Sequence, residues 1–193
     1  MPPIHLSKYK RKTLSYSENE RRFCLHRESG THLRAYDIDV SGAGRQYFKD
    51  VYEGDRRQGH RSADGIYVGS FHIPGRQIYF VIVVELEGHT SFEDSAEQVR
   101  STLEHFWPRS QDNTLDDDGV RHHEQARLKP RPYISKNDHL VVGIVVGSTG
   151  RRGQLTKYKE WPIICLNSRQ PVQDKTPMAL FEEIASYTGQ RFW

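Results

Sequence analysis

The stretch from Gln77 to Glu87, QIYFVIVVELE, constrains the fold more than any other part of the chain. β-Branched and aromatic residues follow one another without a helical period, which predicts a strand buried on both faces. Gly88 ends it. Just upstream, Asp64 opens DGIYVGSF, a short β-rich run, and Ile73, Pro74, Gly75 and Arg76 read as a turn. Just downstream, Ser91 starts a helix in which Phe92, Ala96, Val99, Leu103 and Phe106 recur at steps of three and four, until Pro108 stops it. The order is hairpin, buried strand, helix.

The remaining segments fit one α/β domain, 1–193, with a mixed central sheet flanked by helices. Ser15 and Ser17 each stand three residues before a glutamate, Glu18 and Glu20, a capping-box pattern that predicts a helix through about Arg27, closed by Gly30. His32 to Val40 alternates as a strand does, and Gln46 to Glu53 suits strand or helix equally. Residues 108–131 have loop composition. His139 to Gly147 and Trp161 to Leu166 predict two further buried strands, with a turn between them. Thr176 as N-cap and Pro177 at the first helical position predict a last helix carrying Leu180, Phe181, Ile184 and Ala185 up to Gly189.

Composition narrows the class. With 193 residues the chain is long enough for one core. Only 35% of residues are hydrophobic, but they lie in compact runs, which favours a fold over disorder. The longest apolar run, Ile78 to Val84, is far short of the ~20 residues of a membrane span. The basic start, residues 1–13, has no apolar core of a secretory signal and reads as a solvated tail or an organellar transit segment. Two cysteines, Cys24 and Cys165, exclude a disulfide framework and suit ordinary buried thiols in a reducing cytoplasm. A net charge of +3 permits nucleic acid as a partner without requiring it.

The chemistry-bearing residues cluster around the buried strand. Alternate side chains of a strand share a face, so Glu85 and Glu87 project together, with Leu86 opposite. Carboxylates emerging from a core strand are costly to desolvate and repel each other. A hard divalent cation with oxygen ligands, magnesium or manganese, would offset both costs. Asp64 would join them across the hairpin, and such a group can activate water at a phosphodiester. The alternative is a solvated sheet edge with no ion.

The pieces SADGIYVG, YFVIVVELEG and SFEDSAEQVRSTLEHF together resemble the PD-(D/E)XK nuclease superfamily, over roughly Glu18 to Pro108. The resemblance implies a restriction-endonuclease-like fold and magnesium-dependent cleavage of DNA, in defence or mobile-element biology. It makes Asp64 and Glu85 metal ligands, aims Gln98 at the site from the helix, and makes Glu18 or Glu20 an extra acid. Glu87 stands where the superfamily usually has a lysine. A glutamate there serves as ligand or general base, or marks an inactive fold that binds nucleic acid or a protein partner. A homodimer would suit double-strand cleavage.

Other features are weaker. Arg56, Arg57, Arg151, Arg152, Lys157 and Lys159 are candidate phosphate contacts, which position a duplex without reading it. Tyr9, Tyr16, Tyr47 and Tyr52 interleave with basic residues as stacking platforms do. His122, His123 and Glu124 lack the second histidine of a HExxH zinc site and read as a surface loop. His89 continues the alternation of Glu85 and Glu87.

Overall fold

In the computed structural model, residues 9–18, 21–38, 62–86, 91–106, 139–147, 151–167, 172–189 and 192 are described. The buried run forms a strand, β5 (Arg76–Leu86), and every residue from Phe80 to Leu86 is buried. Its even-numbered side chains, including Phe80, Ile82, Val84 and Leu86, enter one apolar cluster; Val81 and Val83 enter the other. Two layers therefore cover β5, as its composition requires.

β5 is at the centre of a six-stranded sheet. Upstream, β3 (His32–Asp37) and β4 (Gly65–Ile73) run antiparallel, and β4 pairs antiparallel with β5 from Gly65↔Val84 to Ile73↔Arg76. Pro74 and Gly75, the latter at φ 85°, make the turn. Helix α1 (Phe92–Phe106) follows, and Ser91 Oγ accepts from Asp94 N at its start. The chain then adds β6 (His139–Val146) and β8 (Trp161–Asn167) parallel to β5, with β7 (Leu155–Tyr158) antiparallel at the edge. The order is β3-β4-β5-β6-β8-β7. The buried apolar side of α1 (Phe92, Ala96, Val99, Leu103 and Phe106) packs on the Val81–Val83 face. On the other face lies α2 (Pro177–Thr188), through Leu180, Phe181 and Ile184. Its ends are as expected: Thr176 accepts from Ala179 N, and Gly189 takes the left-handed conformation at φ 67°.

The N-terminal region departs from the expected helix. β1 (Ser15–Glu18) and β2 (Arg21–Leu25) form an antiparallel hairpin, and β9 (Val172–Lys175) adds parallel to β2, giving a second sheet in the order β1-β2-β9. The reason is packing. Tyr16, Phe23 and Leu25 are completely buried, and strand alternation aims Phe23 and Leu25 at the same core. A helix through these residues would have too narrow an apolar side to hold it. Tyr16 ties the sheets together: its hydroxyl donates to Tyr36 O at 2.5 Å, with Ile66 O at 3.1 Å, and accepts from Tyr36 N at 2.9 Å. Burial, and then the neighbouring Tyr67, push this phenol well above its ordinary pKa, so it stays a donor.

Residues 9–11, within the expected tail, are not a solvated segment. Tyr9 is buried, Lys10 bridges to Tyr36, and Arg11 N bonds to Ala35 O at 2.8 Å, so the segment lies along the outer edge of β3. Instead of a simple turn between β6 and β8, residues 155–158 supply β7. Both cysteines are buried free thiols. No helix among the described residues is long and apolar enough to cross a membrane.

Candidate metal and phosphate site

The β4–β5 ladder ends at the pair Gly65↔Val84. One step further along each chain stand Asp64 and Glu85. Opposed positions of an antiparallel pair carry side chains on one face, with Cβ atoms roughly 5 Å apart. Asp64 Oδ2 accepts from Leu86 N at 2.6 Å, so an aspartate oxygen touches the amide that follows Glu85. The two carboxylates belong to one end of the sheet. Both are buried, Asp64 at 5% exposure and Glu85 at 4%, and Glu85 Oε2 is shielded from solvent.

The surrounding elements fix this end. Gly65 holds the approach of β1, since a Cβ there would lie 2.1 Å from the Tyr16 ring. Ile38 N bonds to Asp64 O at 2.9 Å, which holds the aspartate backbone beside the end of β3. From α1, Thr102 Oγ1 accepts from Ala63 N at 2.8 Å, fixing the residue before Asp64. Ser95, Gln98 and Thr102 share a side of α1 by their spacing. Ser95 and Thr102 are fully buried and Gln98 is half-buried.

Two buried oxygen donors at one end of the β4–β5 pair, Asp64 held by the Leu86 amide, fit a hard cation of the magnesium class better than a thiophilic one. Glu87 and Glu20 lie outside the described residues, as do Arg56, Arg57, His89, His122, His123, Tyr47 and Tyr52. Glu18 ends β1, where its backbone pairs with Arg21 in the small sheet.

The basic candidates divide. Arg152 is engaged with Glu183 on α2 at 2.9 Å, and Lys159 lies over the Tyr158 and Trp161 rings. Arg151 and Lys157 are exposed. Tyr9 and Tyr16 are buried in the two cores, so neither offers a face for base stacking. A better anion surface lies elsewhere. A cavity of about 350 Å³ along the β3 edge is lined by Lys10, Arg11, Lys12, Arg27 and Arg34 over an apolar floor. Arg11 is paired with Asp37, and Arg27 donates to Leu33 O at 3.2 Å. Lys10, Lys12 and Arg34 are exposed. The sequence shows the Lys10–Lys12 cluster but not that Arg27 and Arg34 join it, because β2 and β3 bring them together only on folding.

Comparison with protein families, with curated proteins and with solved structures finds no match to this chain.

Proposed function

We propose that this protein is a divalent-cation-dependent phosphodiesterase of nuclease type, acting on DNA. The observation that carries the reading is the placement of two buried carboxylates, Asp64 and Glu85, at one end of adjacent central strands. Burying two negative groups side by side costs several kcal/mol unless hydrogen bonds, protonation or a cation offset it, and a divalent cation is the compensation this reading assigns. The order β3-β4-β5, α1, β6 supports a restriction-endonuclease-like core, with the helix crossing between parallel strands on the face that carries Glu85.

In this reading Asp64 and Glu85 hold the ion, and a bound magnesium supplies Lewis acidity and a more acidic water. The Leu86 amide orients the Asp64 carboxylate by donating to it. The apolar neighbours on β5 and β6 keep bulk water away, which strengthens the field of each charge. Gln98 orients the phosphate or the attacking water from α1, and Glu87 takes the proton. The basic residues along the β3 edge would bear the phosphate backbone.

Plasmid nicking tests the proposal. The wild-type protein should convert supercoiled plasmid with magnesium or manganese, and Asp64→Asn and Glu85→Gln should remove that activity while retaining DNA binding. Salt-dependent DNA binding with no metal-dependent product from the wild type would overturn the catalytic reading and leave a binding module.

A further inference from the structure

β2 and β9 carry a second group of donors on the outer face of the small sheet. Cys24 and Asp174 are directly paired across the parallel ladder, and the ladder continues past β2 because His26 N bonds to Lys175 O at 2.8 Å. His26 is two residues beyond Cys24, so both project to the same side, away from the buried Phe23 and Leu25. One ligand atom from each of Cys24, His26 and Asp174 lies within 4.8 Å of the other two, and His26 Nε2 is 3.5 Å from an Asp174 oxygen. Tetrahedral zinc, with bonds of about 2.0–2.3 Å, separates its ligand atoms by about 3.3–3.6 Å. The imidazole–carboxylate distance already meets that figure, and the sulfur needs to close by at most about 1.2–1.5 Å.

We propose that Cys24, His26 and Asp174 form a zinc site, with three protein ligands and a fourth position open to solvent. One thiolate, one imidazole and one carboxylate select a borderline-soft transition ion over magnesium. The framework is set before the ion arrives, since two ligands stand on paired strands and the third is held by the next ladder bond. Metal binding would pin β9, a four-residue strand from the C-terminal part of the chain, to the N-terminal hairpin. Arg22 is the internal competitor: it is two residues before Cys24 on the same face, and its guanidinium is 3.9 Å from Asp174. Being about half exposed, it can swing aside. Binding deprotonates the thiol, so zinc uptake releases protons and strengthens as pH rises.

The test is a cobalt titration of the reduced full-length protein, followed by displacement with zinc. A thiolate-to-cobalt charge-transfer band should saturate at one equivalent and vanish on adding zinc. Cys24→Ser should abolish the band, and His26→Ala and Asp174→Asn should weaken binding by at least about 10-fold. Cys165→Ala, on the large sheet, should leave the band unchanged, and circular dichroism confirms that each variant is folded. Arg22→Gln should tighten cobalt binding; an ion-pair cluster with no metal role gives no band for that variant either. Absence of the band in wild type, or its persistence in Cys24→Ser, overturns the proposal. None of these readouts involves DNA cleavage.

Discussion

The two donor groups of this protein differ in what they offer and in how they are held. At the end of β4 and β5 the donors among the described residues are carboxylate oxygens, dry, and placed by the central sheet and α1. On β2 and β9 they are sulfur, nitrogen and oxygen, with His26 and Asp174 about half exposed, on a three-stranded sheet. Donor chemistry separates the ions each would choose, and burial separates what each would do. A dry oxygen site suits charge stabilisation in a reaction, whereas an exposed mixed site suits cross-linking of strands.

The sharpest way to break this contrast is to exchange the lesions. Glu85→Gln should lower magnesium-dependent plasmid cleavage by more than about 100-fold, beyond what loss of an outer-shell partner costs, yet leave the cobalt band of the small sheet intact. Cys24→Ser should do the reverse. Saturating magnesium should raise the melting temperature of wild type, by the equivalent of about 2.7 kcal/mol at 100 times its Kd, and not that of Glu85→Gln. A Glu85→Gln variant that still cleaves would remove the distinction.

Packing lesions sharpen the same contrast at smaller scale. Gly143→Ala would bring a Cβ to 2.4 Å from Val99 Cγ1 and 2.9 Å from Ile163 Cγ1, forcing α1 away from β6. We expect a loss of about 1–3 kcal/mol in denaturant unfolding, with cleavage impaired more than cobalt binding. Tyr16→Phe removes the hydroxyl that joins the two sheets and should cost roughly 1–1.5 kcal/mol, with both sites loosened.

The smallest effect belongs to the brace beside the small sheet. Glu183 on α2 receives Lys175, the last residue of β9, at 2.6 Å and Arg152 at 2.9 Å. Burial alone would raise this carboxyl, but the bonds from Lys175 and Arg152 outweigh it and hold the pKa below the ordinary value. The brace therefore contributes fully above the unfolded-state glutamate pKa of about 4.3 and is lost as pH falls through the lower folded value. Glu183→Gln should cost well under 1 kcal/mol at neutral pH, since Arg152 is largely exposed, and the gap between variant and wild type should close in acid unfolding curves.

How much of this was legible from the sequence depended on whether a segment's own side chains decide its state. β5 and α1 were legible because their apolar residues fill two faces and one stripe, respectively, with no help from elsewhere. The approach of Asp64 to Glu85 followed from the short Pro74–Gly75 turn, which leaves the register little freedom. β7 (LTKY) and β9 (VQDK) were illegible because they are short and mostly polar, and become strands by pairing with β8 and β2. The hairpin of β1 and β2 was hidden by serine–glutamate spacings that mimic a helix start. That misreading also hid the zinc candidates: on a helix Cys24 and His26 diverge, whereas on a strand the C-x-H spacing puts them side by side. Asp174 could not be joined to them without the parallel pairing of β2 and β9.

The lining of the β3 edge by residues 9–12 has a consequence for behaviour at high concentration. Among the described residues β3 ends the large sheet on one side, and an unguarded strand there would present amides and carbonyls to any passing chain. Lys10 and Arg11 occupy Tyr36 and Ala35, while their charges crowd the approach. The opposite border, β7, is four residues long and carries exposed Lys157. Clipping the N-terminal strap would therefore produce a protein that self-associates through β3, and fibrils or oligomers would form at that border before the other.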